Sequence, residues 1–375
     1  MGRIIPARIT EAREARAMSM LDLAERINVT RQAVSKYENG IMEPSAFTLS
    51  AISKCLDFPT EFFFERAYGT TTNIPIFFRA NITTPKKVKE SCQYPIRWAN
   101  ELRLFMEQFV DFPELLLTPI SDNYEDLTDD DVENLALQLR SQWGIGEGPI
   151  VDLIGVLENL GAFVFHFSDS EYIKFHGIDA YSSWVDGRPY IAYQPSKTAV
   201  RCRFSIAHEL GHLLMHSTVP VEKTRSKEIL QLADHQADRF AAAFLMPISS
   251  FPKDIHRNSL LSFENIKKKW GVSFSAIISR CNDLSLFSEN QINYLKKQMT
   301  INQYWRSEPL DSILAIDGPE IFSSTVQMLL ENNVISKSDL TSTLSPADLT
   351  KICVLPDEFF NNSYIRPRPI LKILE

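Results

Sequence analysis

Apolar residues recur at helical spacing through the first 67 residues. Ile9, Ala12 and Arg13 begin an amphipathic stretch that ends near Ala17. Ser19 is placed to cap a second helix, with Asp22 completing a capping box and Leu21, Ala24 and Ile27 forming the apolar face. Asn28-Val29 breaks the pattern, and Thr30 caps a third helix, Arg31–Glu38. Asn39-Gly40 stops it, because glycine tolerates the left-handed conformation beyond a helix end. Two further helices are predicted at about 45–56 and 59–65.

Helical spacing returns at 97–109 through Trp98, Leu102, Phe105 and Phe109. The acidic cluster from Asp122 to Glu133 lacks the alternating ligands and central glycine of a calcium loop. Thr128 as N-cap, with acids in the first turn of a helix to about Trp143, accounts for it through the helix dipole. A boundary is expected at 144–149, with Pro149 opening a helix to Leu160. Strands follow at 162–167, at 177–185 and at 189–193, the last two separated by the turn Asp186-Gly187. Pro189–Tyr193 is read as an edge strand on which an extended peptide could pair. Residues 262–285 read as helix, a Gly271-Val272 turn, and helix, with Lys267, Lys268 and Lys269 as a solvated face.

Composition narrows the classes. A chain of 375 residues exceeds one ordinary core, so two or more domains are expected. Its net charge of −8 excludes a bulk polycation, although a local DNA-reading face is compatible with it. Residues 1–67 carry nine basic and nine acidic side chains, so phosphate attraction there must come from one face or from a second subunit. Five scattered cysteines without a C-x-x-C pair fit reduced cytosolic thiols rather than a zinc knuckle or a disulfide framework. Met1–Thr10 has no apolar run of signal-peptide length, and no segment is apolar enough to span a bilayer. A cytoplasmic protein without membrane partners is the expectation.

The run from Ser19 to Gly40, SMLDLAERINVTRQAVSKYENG, resembles the XRE (Cro/C1, phage-repressor) helix-turn-helix. That resemblance implies that Thr30–Glu38 enters the major groove. Gln32 would bond an adenine edge, Arg31, Ser35 and Lys36 would reach bases or phosphates, and Ala24 would let the two helices approach closely. It also implies an operator as partner and a homodimer to match paired half-sites. Protein docking through the same fold stays open.

The segment with candidate chemistry is Arg203–His216. Its apolar residues Ala207, Leu210, Leu213 and Leu214 have helical periodicity, so His208 and His212 share a face one turn apart. Two imidazoles at i and i+4 can converge on one Zn²⁺, with Glu209 beside them as general base. Downstream, Ala237, Phe240, Ala241 and Phe244 supply a helical core face, and Asp234 and Asp238 lie one turn apart. One carboxylate could bind zinc while the other holds the spare N–H of a ligand histidine.

With Arg203-Phe204-Ser205 before the paired histidines and Phe240-Ala241-Ala242 leading to Leu245-Met246-Pro247 after them, these segments resemble the ImmA/IrrE family of zinc metallopeptidases. The resemblance implies His208 and His212 as ligands, Glu209 as base and Asp234 as third ligand, at a position where the family normally has Glu. Asp238 is then the outer carboxylate, and His235 is the alternative ligand. His216, one turn beyond His212, reads as structural or as a support to a ligand, because the glycine turn before a metzincin's third histidine is missing. Tyr181 and His176 are the candidate oxyanion donors.

The expected fold is α+β, mostly α. Residues 1–67 form a helix-turn-helix domain, 68–145 a helical connector, and 146–255 a zincin-like peptidase domain with a small sheet. Residues 256–300 form a helical, HTH-like subdomain, and 301–375 a C-terminal helical region without an interpretable motif. The resemblances imply a DNA-binding regulator whose zinc endopeptidase cleaves a cognate repressor or antitoxin, in mobile-element, stress or toxin–antitoxin control. Two alternatives stand beside it. One is a regulator with a non-catalytic zinc or sensor domain; the other is a proteolytic toxin neutralised by a partner antitoxin.

Overall fold

The computed structural model describes residues 2–64, 77–80, 86–120, 123–167, 178–195, 197–217, 219, 226–316, 318–342 and 344–361. The fold is α+β and mostly helical. The N-terminal unit comprises α1 (Pro6–Ala15), α2 (Met20–Arg26), α3 (Arg31–Glu38) and α4 (Ala46–Leu56). Ser19 and Asp22 form the expected capping box on α2, and the Thr30 hydroxyl accepts the Ala33 N–H at the start of α3. The fifth expected helix is shorter, a single 3₁₀ turn at Thr60–Phe63 that buries Phe62 and Phe63.

Within the stretch expected to be a helical connector, Phe77–Ala80 forms strand β1, before α5 (Lys86–Ser91) and α6 (Gln93–Met106). Adjacent phenylalanines suit a strand, and the helical apolar period begins only after them. Next come α7 (Asp129–Gln142), α8 (Leu153–Asn159), β2 (Phe163–His166), β3 (Ile178–Val185) and β4 (Arg188–Tyr193). Pro149 does not open α8. Asp152 caps that helix by accepting the Gly155 N–H, so it starts four residues later.

The strands order β1-β3-β4-β2, with β3 antiparallel to both β1 and β4, and β2 parallel to β4. The turn residues Asp186 and Gly187 both have positive φ, as a two-residue hairpin between right-twisted strands requires. Placing β4 between β3 and β2 corrects the expectation of an edge strand there: its backbone groups are already paired on both sides. Among the described residues β1 and β2 form the edges.

Two helical layers cover this sheet. On one face α9 (Ala199–Met215) packs against β3 and β4, and α10 (Lys227–Leu245) packs along α9. Helices α11 (Leu260–Trp270), α12 (Phe274–Asp283) and α13 (Glu289–Ile301) extend the same core. Here the lysine face is corrected at one position. Lys267 is fully buried, and its ammonium bonds Glu308 at 2.7 Å and Asp311 at 2.5 Å. The long aliphatic stem and a paired charge make such burial tolerable.

The opposite face buries Phe163, Phe165, Tyr181 and Tyr190 against α6 and the C-terminal helices α14 (Ile321–Glu331), α15 (Lys337–Thr341) and α16 (Pro346–Ile352). The helix-turn-helix unit belongs to this second core. Arg8 bonds Glu101 at 2.9 Å, the Trp98 indole donates to Glu11 at 2.7 Å, and Tyr94 donates to Glu14 at 2.6 Å. Arg16 pairs with Asp348 through both terminal nitrogens, at 3.0 and 2.7 Å. Helix α6 faces the sheet as well, where Arg103 donates to the Tyr190 hydroxyl at 2.8 Å.

Removing one partner of a largely buried pair leaves the other uncompensated, at a cost of about 3–5 kcal/mol. Asp348→Ala should therefore lower the urea midpoint, and local hydrogen exchange should rise first where α16 meets the N-terminal helices. Unchanged stability would show that the Arg16–Asp348 pair does not dock these helices.

Candidate metal centre

Helices α9 and α10 build the centre together. Gly211 sits where they touch, and a Cβ there would lie 3.2 Å from both the Ala237 Cα and the Phe240 ring. The missing side chain lets the backbones close, which brings Asp234 and Asp238 on α10 alongside the two histidines of α9. Of the groups the sequence singles out, His208, His212 and Asp234 come together: one ligand atom from each lies within 4.8 Å of the others. The Nε2 atoms of His208 and His212 are 3.0 Å apart, and Asp234 Oδ1 lies 3.6 Å from His212 Nε2. Both imidazoles are buried, whereas Asp234 is half-exposed, so the group has a dry side and a wet side.

This donor set fits a zinc ion. Nitrogen and oxygen ligands about 2.0–2.2 Å from a tetrahedral ion lie about 3.3–3.5 Å from one another. The spacings here straddle that range. Asp238 Oδ1 lies 2.8 Å from His208 Nδ1, and a carboxylate accepts only, so that nitrogen carries a proton and His208 Nε2 is the atom turned to the cluster. Aspartate is one methylene shorter than glutamate, yet Asp234 reaches the imidazole because α10 runs close to α9.

Glu209 points to the sheet. It is buried, and Ser182 on β3 donates to its Oε2 at 2.7 Å. Sequence reading missed Ser182, which is one of three polar residues in β3, with Asp179 and Ser183, so nothing local marks it out. His216, read as structural or supporting, lies with its Nδ1 3.0 Å from His212 Nδ1. Its Nε2 is 2.9 Å from Gln236 Oε1, a second residue that the sequence gave no reason to single out. His235 turns away, with its Nε2 2.9 Å from Asp129.

Tyr181 is corrected as an oxyanion donor. Strand alternation sends it to the sheet face opposite Ser182, where it packs on Phe167 in the other core. His176 lies outside the described residues. Beside Asp238 opens a cleft of about 680 Å³ whose lining includes Lys197, Arg201, His235, Tyr304 and Trp305.

The recognition elements are placed separately. On α3, Arg31, Gln32 and Lys36 are exposed, Ser35 is half-buried, and Val34 and Tyr37 anchor the helix to the core. Ala24 of α2 is buried in that core.

Comparison with known families agrees with this division of labour. Residues 158–282 match the family profile of the IrrE N-terminal-like domain, and residues 9–63 match that of the helix-turn-helix domain. The chain joins these two domains. No curated protein matches it. The pairing supports a regulator that carries a DNA-binding domain and a protease-like domain of metallopeptidase type. No helix among the described residues is long and apolar enough to cross a membrane.

Burial disfavours the charged imidazole, lowering His212 to about 4 and His216 to about 3; Asp234 pulls His212 only partly back. Burial likewise lowers His166 to about 4. At neutral pH all three are uncharged. Because their folded values lie below the unfolded value near 6.5, the unfolded chain binds more protons between them. The stability these groups contribute is therefore complete above about pH 6.5 and is lost as pH falls towards 4. Urea midpoints of metal-free protein should drop across that window, and His166→Asn should flatten the drop. A midpoint constant from pH 7 to 4 would contradict the burial of these rings as neutral groups.

Proposed function

We propose that this chain is a DNA-binding regulator whose second domain is a zinc-dependent endopeptidase acting on a regulatory protein. The observation that carries the reading is the convergence of two imidazole nitrogens and a carboxylate oxygen beside a buried glutamate. His208, His212 and Asp234 would hold the ion, with Asp238 orienting His208. Zinc bound there supplies Lewis acidity towards a peptide carbonyl and lowers the pKa of water. Glu209 takes a proton from the attacking water and passes it to the departing amine. Ser182 holds one oxygen of that carboxylate in place. The cleft beside Asp238, with its exposed cationic and aromatic side chains, is where a substrate segment would lie.

The DNA reading rests on the exposed N-terminal half of α3. Arg31 and Gln32 are directed outward at the helix start, as insertion into a major groove requires, while Ser35 and Lys36 continue that face. The substrate proposed is a cognate repressor or antitoxin, whose cleavage would release transcription. Operator binding as a homodimer in the cytoplasm completes the proposal.

Glu209→Gln should retain zinc and DNA binding but cut the partner about 100- to 10,000-fold more slowly. The measurement is electrophoretic cleavage of the cognate repressor or antitoxin, with bound zinc determined on the same samples. Equal cleavage by the variant would remove Glu209 as base. Regulation that persists with neither protein cutting would favour a sensor domain instead.

Gln32→Ala should weaken operator binding by about 1–3 kcal/mol and relax the preference for one base pair. Binding isotherms on operator variants would show it. A uniform loss over all sequences would mean that Gln32 contacts only backbone.

A further inference from the structure

The proton on His212 is dictated from 24 residues away. Gln236 Nε2 lies 2.7 Å from the Tyr124 carbonyl and 3.2 Å from the Leu127 carbonyl. Carbonyl oxygens only accept, so the amide nitrogen must face them, and the amide oxygen must face His216. That oxygen is also an acceptor, so His216 donates from Nε2 over 2.9 Å. A neutral imidazole has one N–H, which leaves His216 Nδ1 as an acceptor. His212 Nδ1, 3.0 Å away, then donates to it. All three side chains are buried, so water does not compete for these bonds.

We infer that Gln236 is a positioning residue: acting through His216, it fixes His212 as the Nδ1–H tautomer and so keeps the Nε2 lone pair aimed at His208 and Asp234. This deepens the metal reading and rests on it for its consequence, but the relay from Gln236 to His212 Nδ1 is a property of the metal-free chain, in which the 3.0 Å contact between the two Nε2 atoms takes its proton from His208. The loop around Tyr124 and Leu127 thereby becomes part of the centre. It anchors the amide that orders a relay of three side chains ending at a ligand nitrogen. The Tyr124 ring also packs edge-on against His216, with centroids 5.6 Å apart, which holds the imidazole in line. An opposite order of protons would put an N–H on His212 Nε2, facing the cluster, and close that nitrogen to any cation.

The test is long-range proton–nitrogen NMR of the metal-free full chain with ¹⁵N-labelled histidine. His212 should show the Nδ1–H pattern and His216 the Nε2–H pattern. Gln236→Leu removes the acceptor; His212 should become a mixture of tautomers, and zinc affinity should fall about 10- to 100-fold. Gln236→Glu, as the neutral acid favoured by burial, keeps both roles: its O–H donates to the Tyr124 carbonyl and its other oxygen accepts from His216. It should retain the wild-type tautomers and stay within about threefold of wild-type zinc affinity, on the scale of such supporting contacts. An Nε2–H pattern on wild-type His212 would overturn the inference even if the leucine variant failed to fold. So would a folded leucine variant that kept both the tautomers and the zinc affinity. Wild type with the stated tautomers and no zinc binding would refute the metal reading and leave the relay standing.

Discussion

Gly211 lacks the side chain that would otherwise hold α10 away from α9, and the centre follows from that contact. With Ala237 and Phe240 in its place, α10 lies close enough for short aspartates to reach imidazoles on the neighbouring helix. Asp234 and Asp238 then divide the work by position, one turn apart, so that one faces His212 and the other His208. Burial of the histidines is the second half of the constraint. It keeps His212 uncharged at neutral pH, and a neutral imidazole is the form that offers a lone pair to a metal.

The sheet is what makes the two domains one body. Its two faces are separate cores: α9 covers one, and α6 with the C-terminal helices covers the other. The helix-turn-helix unit is fastened to the second core through Arg8, Glu11, Glu14 and Arg16, all on or at the end of α1. Helix α3 therefore projects from a fixed platform. Helix α6 touches the helix-turn-helix unit on one side and β4 on the other, so that unit and the sheet beneath the His208–His212 helix share a support.

Legibility differed between these parts for a physical reason. Caps and breaks are local, so Ser19, Thr30, Asn39-Gly40 and Thr128 marked helix ends without knowledge of the rest. The His208–His212 spacing was equally plain, since one helical turn puts both on one face. Strand order was not legible, because an apolar run says that a strand is buried but not which strands flank it; β4 was therefore misplaced at an edge. Lys267 was misread for a similar reason, as its partners Glu308 and Asp311 lie some 40 residues onward. Tyr181 failed as a candidate because alternation along β3 assigns faces only once one residue of the strand has been placed.

What the residues determined unaided was therefore the inventory: a helix with polar residues at its start in the helix-turn-helix unit, two histidines one turn apart with a glutamate between them, and two aspartates one turn apart. Each of these depends on spacing within a single helix, which 3.6 residues per turn dictates. What only the tertiary structure decided was the pairing of those groups and the course of their protons. Whether Asp234 or Asp238 faces the cluster, that Ser182 holds Glu209, and that Gln236 orders His216 and His212 all depend on how helices, strand and loop pack. Apart from the one-turn contact of His212 with His216, those contacts join residues 20 to 112 positions apart, and no local pattern encodes them.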